Sequence, residues 1–455
     1  MLRATVQLWG FADSKPVERT AGFVLAWMVT VGFVIRLALI LYFKTYEFPP
    51  TDLGVPYAPP HYPYIHFPFG WETGQVASSL ATGHGFSSPF GGGTGPTTWI
   101  GPVYPAMCAF IFKVFGVFSK ASGIVILALN GLFSALTTIP MVRIGERTFG
   151  KKVAASAGWI WSAGALFMFW PVTCMWDTSV SGLLLAWLFF IAFTLAENSS
   201  AWRWIGFGAL WAVAALTNPA LLAFMPLSFA WPVWHLWKRR SLQWRNVVVA
   251  AVVMAALVSP WLVRNRLVMH QWVFIRGNAG FEFHLSNYHH SFGMGWFGKH
   301  PSLNKWEFEK YRRLGEMEYV AQAKREAFQF VREYPLEFVQ LTIKRTWVFW
   351  TDAKFGEVAP LYAGFSLLML LGLIATLARR LAGALLYLGV IVTYPAVYYL
   401  TLPSERYRYA IEPVMLLLSS YVVAELLSDL NVRFKQSFGL RRRVSIKQAE
   451  PVTES

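Results

Sequence analysis

The sequence predicts an all-α polytopic membrane protein with about ten transmembrane helices. It also predicts juxtamembrane helices in the first outer loop and a small helical extracytoplasmic subdomain. Three observations carry this. Of the 455 residues 55% are hydrophobic and only 14% are charged. A soluble chain carries about 25% charged residues, so this one lacks the polar groups to cover a water-facing surface. Apolar runs long enough to cross a bilayer core of about 30 Å recur along the chain. The two cysteines exclude a disulfide scaffold.

The runs come in order. The first is Ala21 to Tyr42, interrupted only by Arg36; with no short apolar segment and cleavage site before it, it reads as an uncleaved anchor. Ala121 to Val142, Val153 to Trp176 and Thr178 to Ala196 follow. Trp204 to Trp237 carries Asn218-Pro219 near its middle. Proline removes a helix donor and disfavours helix in the residue before it, so the stretch is split there into two short spans. Val247 to Val263, Val358 to Ala378, Leu381 to Leu402 and Ala410 to Leu427 complete the set.

Charge orients the stack. Arg143, Arg147, Lys151 and Lys152 fill one loop, Lys238, Arg239, Arg240 and Arg245 a second, and Arg379 and Arg380 a third. The tail adds Arg433, Lys435, Arg441, Arg442, Arg443 and Lys447. All fall on the side of both termini, which the positive-inside rule makes cytoplasmic. The net charge of +16 is thereby a topology signal and calls for no nucleic-acid partner. Residues 1–263 form an N-terminal membrane module, 264–357 the outer subdomain, 358–430 the C-terminal spans and 431–455 a basic cytoplasmic tail.

Residues 44–120 make the long first outer loop, with short helices expected at Trp71 to Gly83 and Pro102 to Phe118. In the subdomain, Asn304 and Glu307 resemble a capping box opening a helix that Pro335 closes, with a second helix to Trp350.

Ionisable residues beside spans are functional candidates. Glu72 begins the first-loop helix, where the helix dipole favours its ionised form, the form a general base needs. A helix-start charge without chemistry is the plain alternative. Asp177, between two spans, is either an N-cap or a helper beside Glu72. Arg36 either snorkels to the outer interface or faces inward toward an acid or phosphate. Arg264, Arg406, Tyr407 and Arg408 lie at the outer ends of spans, against the charge trend. Arginine grips phosphate with a planar fork of donors, so a lipid phosphate is the proposed partner; interfacial anchoring, or pairing with Glu405 and Glu412, is the alternative. His61, His66 and His84 lack zinc spacing, so no metal site is expected. Cys108 and Cys174 read as free apolar cysteines.

Together these pieces resemble the GT-C superfamily of membrane glycosyltransferases, and within it the bacterial family 39 group of protein mannosyltransferases and the lipid A aminoarabinose transferase. The carriers are Glu72 followed by Ala77, Leu80 and Gly83; Pro102, Tyr104 and Pro105; Pro260-Trp261 with Arg264-Asn265; and Arg406-Tyr407-Arg408 with Ile411 and Pro413. The family's first-loop acid is commonly Asp, where this chain has Trp71-Glu72.

The resemblance implies an inverting transfer of a sugar from a polyprenyl-phosphate donor to an extracytoplasmic glycan, lipid or protein, at the bacterial cytoplasmic membrane. It implies Glu72 as base, with Asp177 beside it, and Arg264, Arg406 or Arg408 stabilising the leaving phosphate. No cofactor is expected; a divalent cation beside the phosphate is left open. The competing reading is a transporter or flippase for a lipid-linked sugar precursor, against which stands the lack of an internal repeat.

Overall fold

The computed structural model describes residues 20–47, 71–288, 291, 299–302, 304–353 and 358–447; the side chains of residues 71 and 430–447 fall outside that description. His61, His66, the end of the subdomain at Glu357 and the tail's basic side chains therefore lie outside the described residues.

The described chain is helical, with one isolated antiparallel bridge, Ser87 to Pro96. In order, α1 is Gly22–Phe43, α2 Trp71–Ala81, α3 Val103–Phe115, α4 Lys120–Leu136, α5 Thr138–Thr148 and α6 Lys151–Ala163. Then come α7 Phe169–Thr173, α8 Thr178–Leu195, α9 Ala201–Thr217, α10 Met225–Lys238 and α11 Trp244–Met269. The series closes with α12 Ala279–His284, α13 Lys305–Glu333, α14 Pro335–Thr351, α15 Ala359–Ala378, α16 Ala384–Leu400, α17 Glu405–Arg408 and α18 Glu412–Lys447.

All ten stretches expected to span contain helix. Among the described residues, seven candidates are long and apolar enough to cross a membrane: α1, α4 with α5, α8, Pro219–Lys238, α11, α15 and Glu405–Asp429. The other three, at α6–α7, α9 and α16, are shorter. The run from Val153 to Trp176 is not one helix, because Gly164 leaves α6 in extended backbone before a 3-10 turn and α7. The Asn218-Pro219 break is where expected: Asn218 ends α9 in extended geometry and its side chain accepts from the Ala220 amide.

Bilayer hydrocarbon gives helices no hydrophobic reason to associate, so close packing must hold them. A Cβ at Gly208 would lie 2.2 Å from the Ala250 carbonyl oxygen, and one at Gly372 2.2 Å from that of Leu418. Only glycine lets α9 reach α11, and α15 reach α18, at those distances. The main buried cluster runs through Trp161, Leu188, Phe189, Trp211, Tyr387 and Leu417.

Polar groups divide between the two ends of α8, about 27 Å apart at 1.5 Å per residue. At its C-terminal end Arg147 pairs with Glu197 at 3.5 Å, and Arg239 donates to the Ala196 carbonyl at 3.0 Å. At its N-terminal end stands Asp177.

A second apolar cluster joins residues 90–100 to α12 and α13 through Phe90, Trp99, Phe281, Phe308, Tyr311 and Tyr319. At its centre Glu316 is 5% exposed. Its carboxylate accepts from the Thr98 amide at 2.7 Å, the Thr98 hydroxyl at 2.5 Å, the Tyr311 hydroxyl at 3.0 Å and the Thr97 hydroxyl. Gly315 precedes it at φ 74°, a value that suits glycine, and kinks α13 so that Glu316 turns inward. The Asn304 side chain caps α13 as expected, accepting from the Trp306 and Glu307 amides, while the Glu307 carboxylate accepts from the Tyr319 hydroxyl.

Removing the Glu316 carboxylate strands four buried donors. Glu316→Ala is expected to destabilise the fold by about 3 kcal/mol or more, read as a lower unfolding midpoint in detergent. Glu316→Gln keeps an acceptor and is expected to fall between.

Candidate active site

The site is built where α2, α8, α17 and the segment after α11 meet. α2 is pinned by Val76 and Ala77, both fully buried, Ala77 within a cluster with Tyr104, Cys108 and Met175. This leaves Glu72, in the first turn, half-buried beside His300, whose Nε2 lies 3.2 Å from the Glu72 Oε1. Burial works against the Glu72 carboxylate. The His300 hydrogen bond and charge, the amide at the helix start and the Arg406 charge outweigh it and hold the carboxyl down at about 2.

Asp177 stands at the N-cap position of α8, but its side chain makes no capping bond. It engages the Ser181 hydroxyl one turn on, and Ser181 in turn accepts from the Asn218 amide at 3.4 Å. Burial pushes its carboxyl up; Arg276 and Arg406 pull against that without reversing it. Two carboxyls within the field of Arg406 are thus driven in opposite directions.

Arg406 is held as a plate. Its guanidinium lies 3.8 Å over the Trp176 ring and 4.6 Å over the Tyr407 ring, and its Nη2 donates to the Tyr407 hydroxyl at 2.5 Å. Its side of the site stays partly open, since Trp176, Asp177, Arg406 and Tyr407 are all half-buried. Arg276 closes the other side, donating from Nε to the Trp99 carbonyl at 3.1 Å and pairing with Glu282 at 3.8 Å.

Of the expected residues, Glu72, Asp177, Arg406 and Tyr407 share this site. Arg36, Arg264 and Arg408 are held elsewhere by groups of the fold. The buried Arg36 guanidinium donates to the carbonyls of Gly32, Trp161 and Ser162. It faces inward, but onto main-chain carbonyls and not onto the acid or phosphate of the inward reading. Arg264 donates to the carbonyls of Thr97 and Phe86 at 2.7 and 2.8 Å and stacks on Trp261. Arg408 pairs with Glu412 at 3.3 Å and donates to the Phe349 carbonyl at 2.9 Å. This is the pairing alternative for Arg408, and it turns that side chain away from Arg406.

Sequence reasoning missed Arg276 and His300. Arg276 had a signal, being another cation against the charge trend beyond α11. His300 had none, because the chain folds back from beyond α12 to bring it to Glu72. Among the described residues no group of three His, Cys, Asp or Glu side chains is arranged to hold a metal ion.

Residues 98–263, which contain Asp177, match the family described as dolichyl-phosphate-mannose-protein mannosyltransferase. The matched segment is a little over a third of the chain. A comparison with curated proteins finds no match. Among solved structures, the chain is similar to the Archaeoglobus fulgidus oligosaccharyltransferase in complex with zinc and sulfate, at 13% identity and a TM-score of 0.48. That likeness covers 90% of this chain and 51% of the other, so the chain spans about half the length of the oligosaccharyltransferase. It is also similar to ArnT from Cupriavidus metallidurans bound to undecaprenyl phosphate, at 15% identity and a TM-score of 0.38, covering 91% of this chain and 80% of that one.

The low Glu72 pKa has a stability consequence. A carboxyl held at about 2, below the roughly 4.3 of a free Glu, stabilises the fold fully above pH about 4.3 and loses that contribution as pH falls toward 2. Glu72→Gln and His300→Ala are therefore expected to lower the unfolding midpoint at pH 6. The gap to wild type falls to about half by pH 3 and closes only as pH nears 2. A gap that held constant between the two pH values would contradict the ion pair.

Proposed function

We propose that the protein transfers a sugar from a polyprenyl-phosphate donor to a hydroxyl acceptor on the extracytoplasmic face of the bacterial cytoplasmic membrane. The observation that carries this is the meeting of Glu72, Asp177 and Arg406 at one end of α8, with Arg276 on the Asp177 side. The basic pairings of Arg147 and Arg239 at the opposite end support the assignment of faces, since cytoplasmic loops carry the Lys and Arg excess. The family match over residues 98–263 supports the reaction class.

In this reading the acceptor oxygen attacks the anomeric carbon as the bond from that carbon to the phosphate oxygen breaks. The electron pair leaves with the phosphate, and Arg406 and Arg276 offset the charge that develops there. Attack opposite the leaving group inverts the configuration. The acceptor's proton passes to Glu72. While His300 is bonded to it, a carboxylate of pKa about 2 is a weak base. An acceptor hydroxyl that displaces His300 removes that hydrogen bond and raises the basicity of Glu72 at the moment it is needed.

One observation favours a second assignment of the base. Asp177 is the carboxyl that the site pushes up, and a higher pKa suits proton uptake. The two carboxyls are separable. Glu72→Gln is expected to lower transfer from a polyprenyl-phosphate sugar by about 10²-fold or more with donor affinity nearly kept. Asp177→Asn is expected to weaken donor binding through Arg276 and Arg406 and to cost less in turnover. The reverse pattern would make Asp177 the base. Translocation of labelled lipid-linked sugar in vesicles without any new glycosidic bond would replace both assignments with transport.

A further inference from the structure

Arg406 is the inner end of a stacked column that continues past the site. Its guanidinium lies 3.8 Å from the centre of the Trp176 ring and 4.6 Å from that of Tyr407, to whose hydroxyl Nη2 donates. Tyr407 then stacks on Tyr398 with ring centroids 4.2 Å apart and planes 12° apart. Tyr398 is parallel to Phe349, again within 12°, at 6.1 Å. The far rings are anchored from several helices. Tyr398 belongs to α16 and Phe349 to α14, and both are buried. The Tyr394 hydroxyl donates to the Tyr407 carbonyl at 2.9 Å and lies 3.3 Å from that of Tyr398. The Phe349 carbonyl accepts from Arg408, the next residue but one after Arg406.

An arginine side chain free to rotate has rotamer entropy to lose on gripping a ligand. Here much of that freedom is already removed, since two rings pack on the guanidinium and Nη2 is turned to Tyr407, while the side chain stays partly open. A planar fork meets the oxygens of a phosphate or carboxylate edge-on, and stacking leaves that edge clear.

We infer that Trp176 and Tyr398 are positioning residues that act through Arg406, holding its fork in the plane that receives the phosphate of the lipid donor. The inference rests on the reading of Arg406 as a phosphate ligand. It assigns a role to Tyr398, which lies beyond the ring that touches Arg406.

The test measures binding of undecaprenyl phosphate, and of undecaprenol as its phosphate-free counterpart, to the full-length protein in detergent. Arg406→Gln is expected to weaken undecaprenyl phosphate binding by about tenfold or more and to leave undecaprenol unchanged. Trp176→Leu and Tyr398→Leu are expected to reproduce most of that loss, again without moving undecaprenol. Trp176→Phe and Tyr398→Phe, which keep a ring, are expected to restore it. Trp176→Leu in the Arg406→Gln background is expected to cost nothing further. Should Tyr398→Leu fail to fold, the half-exposed Trp176 carries the test, with Tyr407→Phe removing only the hydroxyl that Arg406 contacts. Wild-type phosphate binding in both leucine variants, beside a loss in Arg406→Gln, overturns the positioning role while the phosphate reading stands. Equal binding of undecaprenyl phosphate by wild type and Arg406→Gln overturns the phosphate reading and the positioning role with it. A loss that extends equally to undecaprenol marks general disruption and overturns the positioning role.

Discussion

The site depends on how residues 97–99 are held. This short stretch leaves none of its main-chain polar groups unpaired. The Thr97 amide donates to the Phe86 carbonyl and its carbonyl accepts from Arg264. The Thr98 amide and hydroxyl donate to Glu316, and its carbonyl accepts from the Gly277 amide. The Trp99 amide donates to the Thr97 hydroxyl, and its carbonyl accepts from Arg276. Extended backbone buried in protein has to be paired in full, because each group left unpaired costs free energy comparable to a lost hydrogen bond. Here one carboxylate, two guanidiniums, the Thr97 hydroxyl and the main chain of Phe86 and Gly277 supply the pairing. The same contacts carry Arg276 to the side of Asp177 and set Trp99 under His300, the partner of Glu72. Pinning the loop and assembling the site are one event.

Charges in this protein take two forms that the surrounding dielectric separates. Arg36 and Arg345 are fully buried with backbone carbonyls as their main acceptors. A guanidinium solvated by carbonyls joins helices without a carboxylate counter-charge. Arg406 differs, with its faces covered by rings and part of its surface open. The carboxyls divide in the same way. Glu316 is satisfied by four donors and has no access to a substrate, while Glu72 has one exchangeable partner. A buried polar network that is complete rigidifies; one with an open position can do chemistry.

The membrane fold was legible in the sequence, because apolar runs and basic loops are additive signals that survive without knowing which helices touch. Breaks were legible where the residue forces them, as at Asn218-Pro219, and illegible where they depend on context, as at Gly164. Glu72, Asp177, Arg406 and Tyr407 stood out for one reason: a charge or amphipathic ring at the end of an apolar helix is costly and therefore conspicuous. The same criterion also selected Arg36, Arg264 and Arg408, and it had no means of dividing the set. What separates Arg406 from Arg408 is two residues of chain, enough in a helical turn to face opposite neighbours: Trp176 on one side, Glu412 on the other. That choice is made by partners far away in sequence, and so no local pattern contains it.

This distance in sequence has a mechanical consequence. Glu72 comes from the first loop, Asp177 from the start of α8, Arg276 and His300 from the long segment after α11, and Arg406 from the turn before α18. Bringing such remote segments together costs loop-closure entropy that only the finished packing repays. A site assembled this way holds its geometry only while the packing holds, which is why its fixed members are tied so redundantly: Arg406 by two rings and a hydroxyl, and Thr97 through Trp99 by Glu316, Arg264 and Arg276. Glu72 is held more lightly: its carboxylate has the His300 ring as its side-chain hydrogen-bond partner, while His300 is itself fixed by the Ser302 amide and the Phe90, Trp99 and Phe281 rings. In a site otherwise built not to move, the carboxylate proposed to take a proton is the one with a single side-chain hydrogen bond to give up.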